Sequence, residues 1–174
     1  MALLHTNTYH KYTEEAMILG LINYFNPSRY LMVPNVFWSI LDYEADLVIV
    51  TPRGYATEVE IKVSKSDLKR NDQKTNKHNT LMFQKMYFAI PESLKESIQY
   101  IPEHAGILIG RYADHPFHIL FNCIREPIKN KNTGALPQET INTLYRLAYF
   151  RSIKYMRDKF ELKNIVEKLQ EKTT

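Results

Sequence analysis

The sequence predicts an α/β domain with a mixed central β-sheet flanked by helices and a helical extension at its carboxyl end. Three observations carry that expectation. Short apolar runs at 47–50, 85–90, 105–109 and 117–124 have the length of strands and end at turn residues. A capped apolar helix precedes the first run, and a polar helix follows the hairpin that the first run opens. From about residue 137 onward, apolar residues recur at helical spacing. One domain over residues 1–174 is expected, with a core at about 13–128 and the helical region at about 137–172.

Thr13 is a good N-cap, Glu14 and Glu15 follow in the first turn, and residues 16–25 are strongly apolar; Asn26-Pro27-Ser28 ends this helix. Residues 30–38 read as a strand interrupted by Pro34, which belongs at a sheet edge or a bulge. The run 47–50 then turns through Thr51-Pro52-Arg53-Gly54 into a second strand, 56–63. Residues 65–77 are very polar and read as a short helix capped by Ser64 or Ser66, with one shallow apolar contact at Leu68. Strands follow at 85–90, closed by Pro91, at 105–109 and at 117–124. After a loop at 130–134, Ile141, Leu144, Ala148, Met156, Phe160, Ile165, Val166 and Leu169 keep a helical period, with a bend expected near Asp158. Tyr145, Tyr149 and Tyr155 are expected to pack this helix.

Composition excludes several classes. The apolar fraction of 44% and charged fraction of 24% belong to an ordinary globule. A single cysteine, Cys123, permits no internal disulfide, fits a reducing cytoplasm, and sits in an apolar run as a structural thiol. No segment approaches the ~20 apolar residues that a membrane-spanning helix needs, so no membrane partner is expected. A net charge of +4 is a mild bias toward polyanions. The six histidines form no zinc pattern, and no phosphate-binding or dinucleotide glycine loop occurs.

The unusual feature is the placement of charge on the hairpin. Side chains alternate across a strand, so Glu58, Glu60 and Lys62 share one face while Val59, Ile61 and Val63 share the other. Hairpin register is able to bring Asp46 beside Glu60. Adjacent carboxylates repel unless one is protonated or a cation lies between them. Hard oxygen donors suit Mg²⁺ or Mn²⁺.

This arrangement, Asp46 and then Glu60-Ile61-Lys62 on the next strand, resembles the signature of the PD-(D/E)XK nuclease superfamily, with Ala45 where the motif's name has proline. Residues 43–110 look most like MmcB-like DNA-repair proteins and related phage or plasmid nucleases, through the segments EADLVIV, EVEIKVSKSDLKRN, KMYFAIP and IPEHAGILI. The resemblance implies a restriction-endonuclease-like core and metal-dependent hydrolysis of DNA to a 5′-phosphate and a 3′-hydroxyl, in repair, recombination or mobile-element processing. It implies Asp46 and Glu60 as metal ligands, the Ile61 carbonyl as a third oxygen, and Lys62 as the group that orients or deprotonates the attacking water. Superfamily members often add an acid from the first helix. Of Glu14 and Glu15, the reading favours Glu15, because Ile18, Leu19 and Ile22 place it on the inward face; the alternative is that both acids complement the helix dipole. Glu58 and Glu44 either support the site or face solvent.

Lys65, Lys69, Arg70, Gln73 and Lys74 follow directly after Lys62 and are expected to contact DNA phosphates, with Arg146, Arg151, Lys154 and Arg157 as a possible extension. The competing reading of that run is a solvated helix face. Duplex cutters of the resembled superfamily often form homodimers. Two other functions compete: an idle DNA-binding or assembly module with the same fold, which has no need of clustered carboxylates, and an RNA nuclease, which shares the chemistry.

Overall fold

The computed structural model describes residues 11–37, 43–72, 82–113 and 118–171. The chain divides into two compact units, residues 1–136 and 137–174. The first is an α/β unit around one six-stranded mixed sheet, as the sequence predicts; its strand order in space equals its order in the chain.

Helix α1 (Glu14–Phe25) starts where expected, with the Thr13 hydroxyl accepting the Ala16 N–H at 3.2 Å. Strand β1 (Leu31–Val36) carries Pro34 and lies at a sheet edge, where a missing N–H costs no ladder bond. Strands β2 (Ala45–Val50) and β3 (Ala56–Ile61) form the predicted hairpin. Its turn closes with the Gly54 N–H donating to the Thr51 carbonyl at 2.8 Å, and Gly54 has φ 82°, a left-handed conformation open to glycine. The second strand ends at Ile61 rather than at residue 63, because from Lys62 the chain bends toward helix α2 (Lys65–Asp72).

Strands β4 (Phe83–Pro91) and β5 (Gly106–Tyr112) extend the sheet in parallel, and β6 (Ile119–Arg125) closes it antiparallel. Both parallel crossovers advance in one direction, so their helices share a face, as right-handed crossovers require. Helix α2 makes the first. The second is a 3₁₀ helix, Glu92–Tyr100, an element that the sequence pattern does not announce. Leu68, Met86, Phe88, Ile90, Ile101 and Ile107 form the core on that face; Met17, Leu21, Leu47, Ile49, Val59 and Leu108 form the core on the α1 face. Leu68 is wholly buried, not the shallow contact expected, because α2 has no other apolar residue with which to anchor on the sheet.

Helix α3 (Gln138–Glu171) makes the second unit and runs uninterrupted through Asp158. Tyr145, Tyr149 and Tyr155, expected to be packing residues, are exposed, as are Met156 and Phe160. Among the described residues no helix is long and apolar enough to cross a membrane.

Candidate functional site

The β2–β3 ladder pairs Leu47 with Val59 and Val48 with Glu58, so the next facing positions are Asp46 and Glu60, as the sequence predicts. Here the ladder stops and side chains take over. The Ile61 N–H donates to Asp46 Oδ2 at 2.6 Å. A residue's N–H and C=O point to the same side of its strand, so the Ile61 carbonyl is also directed toward Asp46. On the other side, the Lys62 N–H donates to the Ala89 carbonyl of β4 at 3.0 Å, which fixes the backbone at the exit from β3. The Lys62 ammonium pairs with Glu60 Oε1.

The three charged side chains therefore meet at the carboxyl end of β3. Glu60 is buried, and its Oε2 has no hydrogen-bonding partner among the described residues. Burial, reinforced by the negative charge of Glu60, pushes the Asp46 carboxyl up to about 7, against the lowering influence of the Ile61 N–H and Lys62. Glu58, two residues back, is completely buried rather than turned to solvent.

A cleft of about 180 Å³ opens at this end, lined by Glu14, Asp46, Ile61, Lys62, Val63 and Asp67. Two helix starts meet there. Glu14, not Glu15, is the acid that α1 turns into the cleft, which corrects the sequence expectation. The buried positions of α1 are Met17, Ile18, Gly20 and Leu21, while Leu19 is 61% exposed, so the inward face lies one residue earlier than the apolar letters suggest. Glu14 precedes Met17 and Ile18 by three and four positions and shares their face. Its carboxyl is raised, first by partial burial and then by the charges of Glu15 and Glu44. Glu15 is fully exposed and is lowered by its own backbone N–H and the Thr13 hydroxyl, the behaviour of a helix-start acid.

Asp67 also lines the cleft, although its sequence position alone does not mark it as a site residue. It occupies the third position of α2, where Ser64 is the cap: the Asp67 N–H donates to Ser64 Oγ at 3.2 Å, and Ser64 Oγ donates to Asp67 Oδ2 at 2.7 Å. The Ser-x-x-Asp spacing is the signal that could have found it. The Ser64 bond, with Arg70 and Lys62 nearby, lowers the Asp67 carboxyl.

The basic residues of α2 are partly committed. Lys65 is exposed, Arg70 pairs with Asp67, and the Lys69 ammonium lies 5.5 Å from the Tyr100 ring centroid. Gln73 and Lys74 lie outside the described residues.

Among the described residues no three His, Cys, Asp or Glu side chains are grouped to hold a metal ion. What this end of β3 offers is a smaller set: Asp46 and the Ile61 backbone in the cleft lining, and the buried, unpartnered Glu60 Oε2 next to them but outside that lining. These donors fit a hard cation of the Mg²⁺ kind, which takes one or two protein carboxylates and completes its shell with water and substrate phosphate. A raised Asp46 beside an orphaned carboxylate oxygen is the electrostatic deficit that such a cation relieves.

No family model matches the chain, and no curated protein matches it. Among solved structures, the chain is similar to the SPO1766 protein of unknown function from Silicibacter pomeroyi, with 15% sequence identity and a TM-score of 0.62 over 83% of this chain and 91% of that one. At that identity the likeness concerns the fold.

Proposed function

We propose that this chain is a Mg²⁺- or Mn²⁺-dependent nuclease that hydrolyses DNA phosphodiester bonds, a member of the PD-(D/E)XK superfamily. The observation that carries the reading is the convergence of Asp46, Glu60, Lys62 and the Ile61 carbonyl at the end of β3, beside a cleft open to a substrate. Such a set is costly to build, since it leaves one carboxylate raised and one carboxylate oxygen without a partner.

Asp46, Glu60 and the Ile61 carbonyl would hold the cation. When bound, it would polarise the phosphate and make a water more acidic. The chain's own residues do the rest. The Ile61 N–H fixes the Asp46 carboxylate, the Lys62–Ala89 bond fixes the strand exit, and Lys62, in the cleft lining, would neutralise charge that builds on the phosphate. Glu14 supplies a further carboxylate at the rim for orienting water. Water oxygen bonds to phosphorus as the bond to the 3′-oxygen breaks, and that oxygen leaves with a proton as the 3′-hydroxyl.

The closed Lys62–Glu60 pair favours a second reading, an idle DNA-binding module in which Lys62 takes the place of a cation. One experiment separates the two. Labelled duplex, junction, flap and single-stranded DNA, together with RNA, are incubated with protein and Mn²⁺, alongside Asp46→Asn, Glu60→Gln and Lys62→Ala. The nuclease reading expects cleavage that each substitution abolishes, with Mn²⁺ binding weakened by the two carboxylate changes and kept by Lys62→Ala. No cleavage of any substrate and no Mn²⁺ binding would leave the idle module.

A further inference from the structure

The two edges of the sheet are built differently. Edge strand β1 carries Pro34, and Asn35 has φ 50°; both features blunt an edge against further pairing. Edge strand β6, with the sequence ILFNCIR, has neither proline nor lysine, and among the described residues β5 alone pairs with it. Its ladder is regular from Ile119 to Cys123, with one register shift at Ile124, where Arg125 faces Ile107.

The hydrogen-bonding phase of β6 follows from its ladder. Ala113 and His118 face one another, and the Ala113 N–H donates to the His118 carbonyl at 2.8 Å. The register continues through Arg111 with Leu120 and Ile109 with Asn122. Those alternate residues spend their backbone groups on β5. Ile119, Phe121 and Cys123 therefore turn N–H and C=O toward the open edge. Helix α1 approaches closely at Ile119: a methyl group placed on Gly20 would lie 2.6 Å from the Ile119 carbonyl oxygen. The accessible stretch is thus centred on Phe121 and Cys123.

The face away from α1 presents two exposed apolar side chains. Leu120 is 54% exposed and Ile124 is 40% exposed, with Asn122 between them. They border a groove of about 490 Å³ whose walls include Glu92, Lys95 and Arg111, a rim bearing both signs of charge.

We infer that β6 pairs antiparallel with β6 of a second copy of this chain, about a two-fold axis at Asn122, to form one continuous sheet. The order of residues selects that occupant and that register. With Asn122 opposite the partner's Asn122, Leu120 faces the partner's Ile124 and Ile124 faces the partner's Leu120. Both apolar contacts form in the non-hydrogen-bonded positions, where side chains approach most closely. Phe121 and Cys123 then exchange backbone bonds across the axis. Moving the axis to Phe121 would set Leu120 against the partner's Asn122 and lose both apolar pairs. A strand whose apolar residues are symmetric about one polar residue is its own complement, as an isologous interface requires.

The test uses the full chain. Sedimentation velocity over a range of concentrations is expected to show a reversible dimer. Leu120→Lys and Ile124→Lys, at exposed positions, are expected to weaken it by about tenfold or more each while the circular dichroism spectrum stays that of the folded protein. In a Cys123→Ser background, Asn122→Cys is expected to form an intermolecular disulfide on mild oxidation, whereas Leu120→Cys is not, because its counterpart lies across from Ile124. A monomer at every concentration would overturn the inference. So would a dimer undiminished by either lysine, which would assign association to another surface such as the exposed apolar residues of α3. Cross-linking through Phe121→Cys in place of Asn122→Cys would overturn the register.

Discussion

The Ile61 N–H donates to Asp46 Oδ2 at 2.6 Å, at the point where the β2–β3 ladder gives way to side chains. This bond holds a carboxylate against a second one, Glu60, in a buried setting that raises Asp46 to about 7. The site therefore stores an electrostatic penalty that solution measurements are able to read.

Without metal, that penalty sets a pH dependence. The ordinary value of the Asp46 carboxyl is 3.8, and folding raises it, so the native state holds this proton more tightly than the unfolded state. Its contribution to stability is then fully present below about pH 4 and is lost as pH rises through about 7. The loss is on the order of 4 kcal/mol at most, at about 1.4 kcal/mol for each pH unit. Melting temperatures in chelator at a series of pH values are expected to fall over this window for the wild type relative to Asp46→Asn. Parallel curves would remove Asp46 from the site's electrostatics.

Added Mn²⁺ at pH 7 is expected to raise the melting temperature of the wild type more than that of Asp46→Asn or Glu60→Gln. A ligand that binds only the native state stabilises it by about 2.7 kcal/mol at a hundredfold excess over its dissociation constant. Equal shifts in all three proteins would mean that the cation binds elsewhere.

Glu14 and Glu15 are adjacent but are expected to behave differently. Glu14→Gln is expected to reduce cleavage and to relieve part of the repulsion that raises Asp46, since Glu14 contributes to it. Glu15→Gln, at an exposed helix start, is expected to leave cleavage unchanged. Single-turnover rates in Mn²⁺ check both, and a larger loss for Glu15→Gln would restore the face inferred from sequence.

Reversing charge on α2 with Lys65→Glu, Lys69→Glu and Arg70→Glu is expected to weaken DNA binding across sequences. It should also lower the slope of log affinity against log salt by about one for each phosphate that the helix no longer neutralises. Binding in Ca²⁺ at several salt concentrations measures this. Arg70 is expected to contribute least, because Asp67 already engages it. An unaltered slope would leave α2 a solvated face.

The hairpin and its charged residues are legible in the chain because turn chemistry and period-two alternation are local. Thr51-Pro52-Arg53-Gly54 sets the register, and the register places Asp46 opposite Glu60. The N-cap at Thr13 and the edge position of β1 are legible for the same reason, one from a hydroxyl and one from a proline ring. Other features depend on what lies opposite. Which acid of α1 enters the cleft turns on a rotation of one residue, and Leu19 is as apolar as its buried neighbours but meets no wall. Leu68 reads as an isolated apolar residue in a polar helix, yet the crossover carries it onto the sheet core. Asp67 reaches the cleft because α2 starts there. Residue type and spacing thus determined the elements and the charges they carry. Their phase against one another came from packing, since a side chain's partner across a sheet or beneath a helix is set by residues distant along the chain.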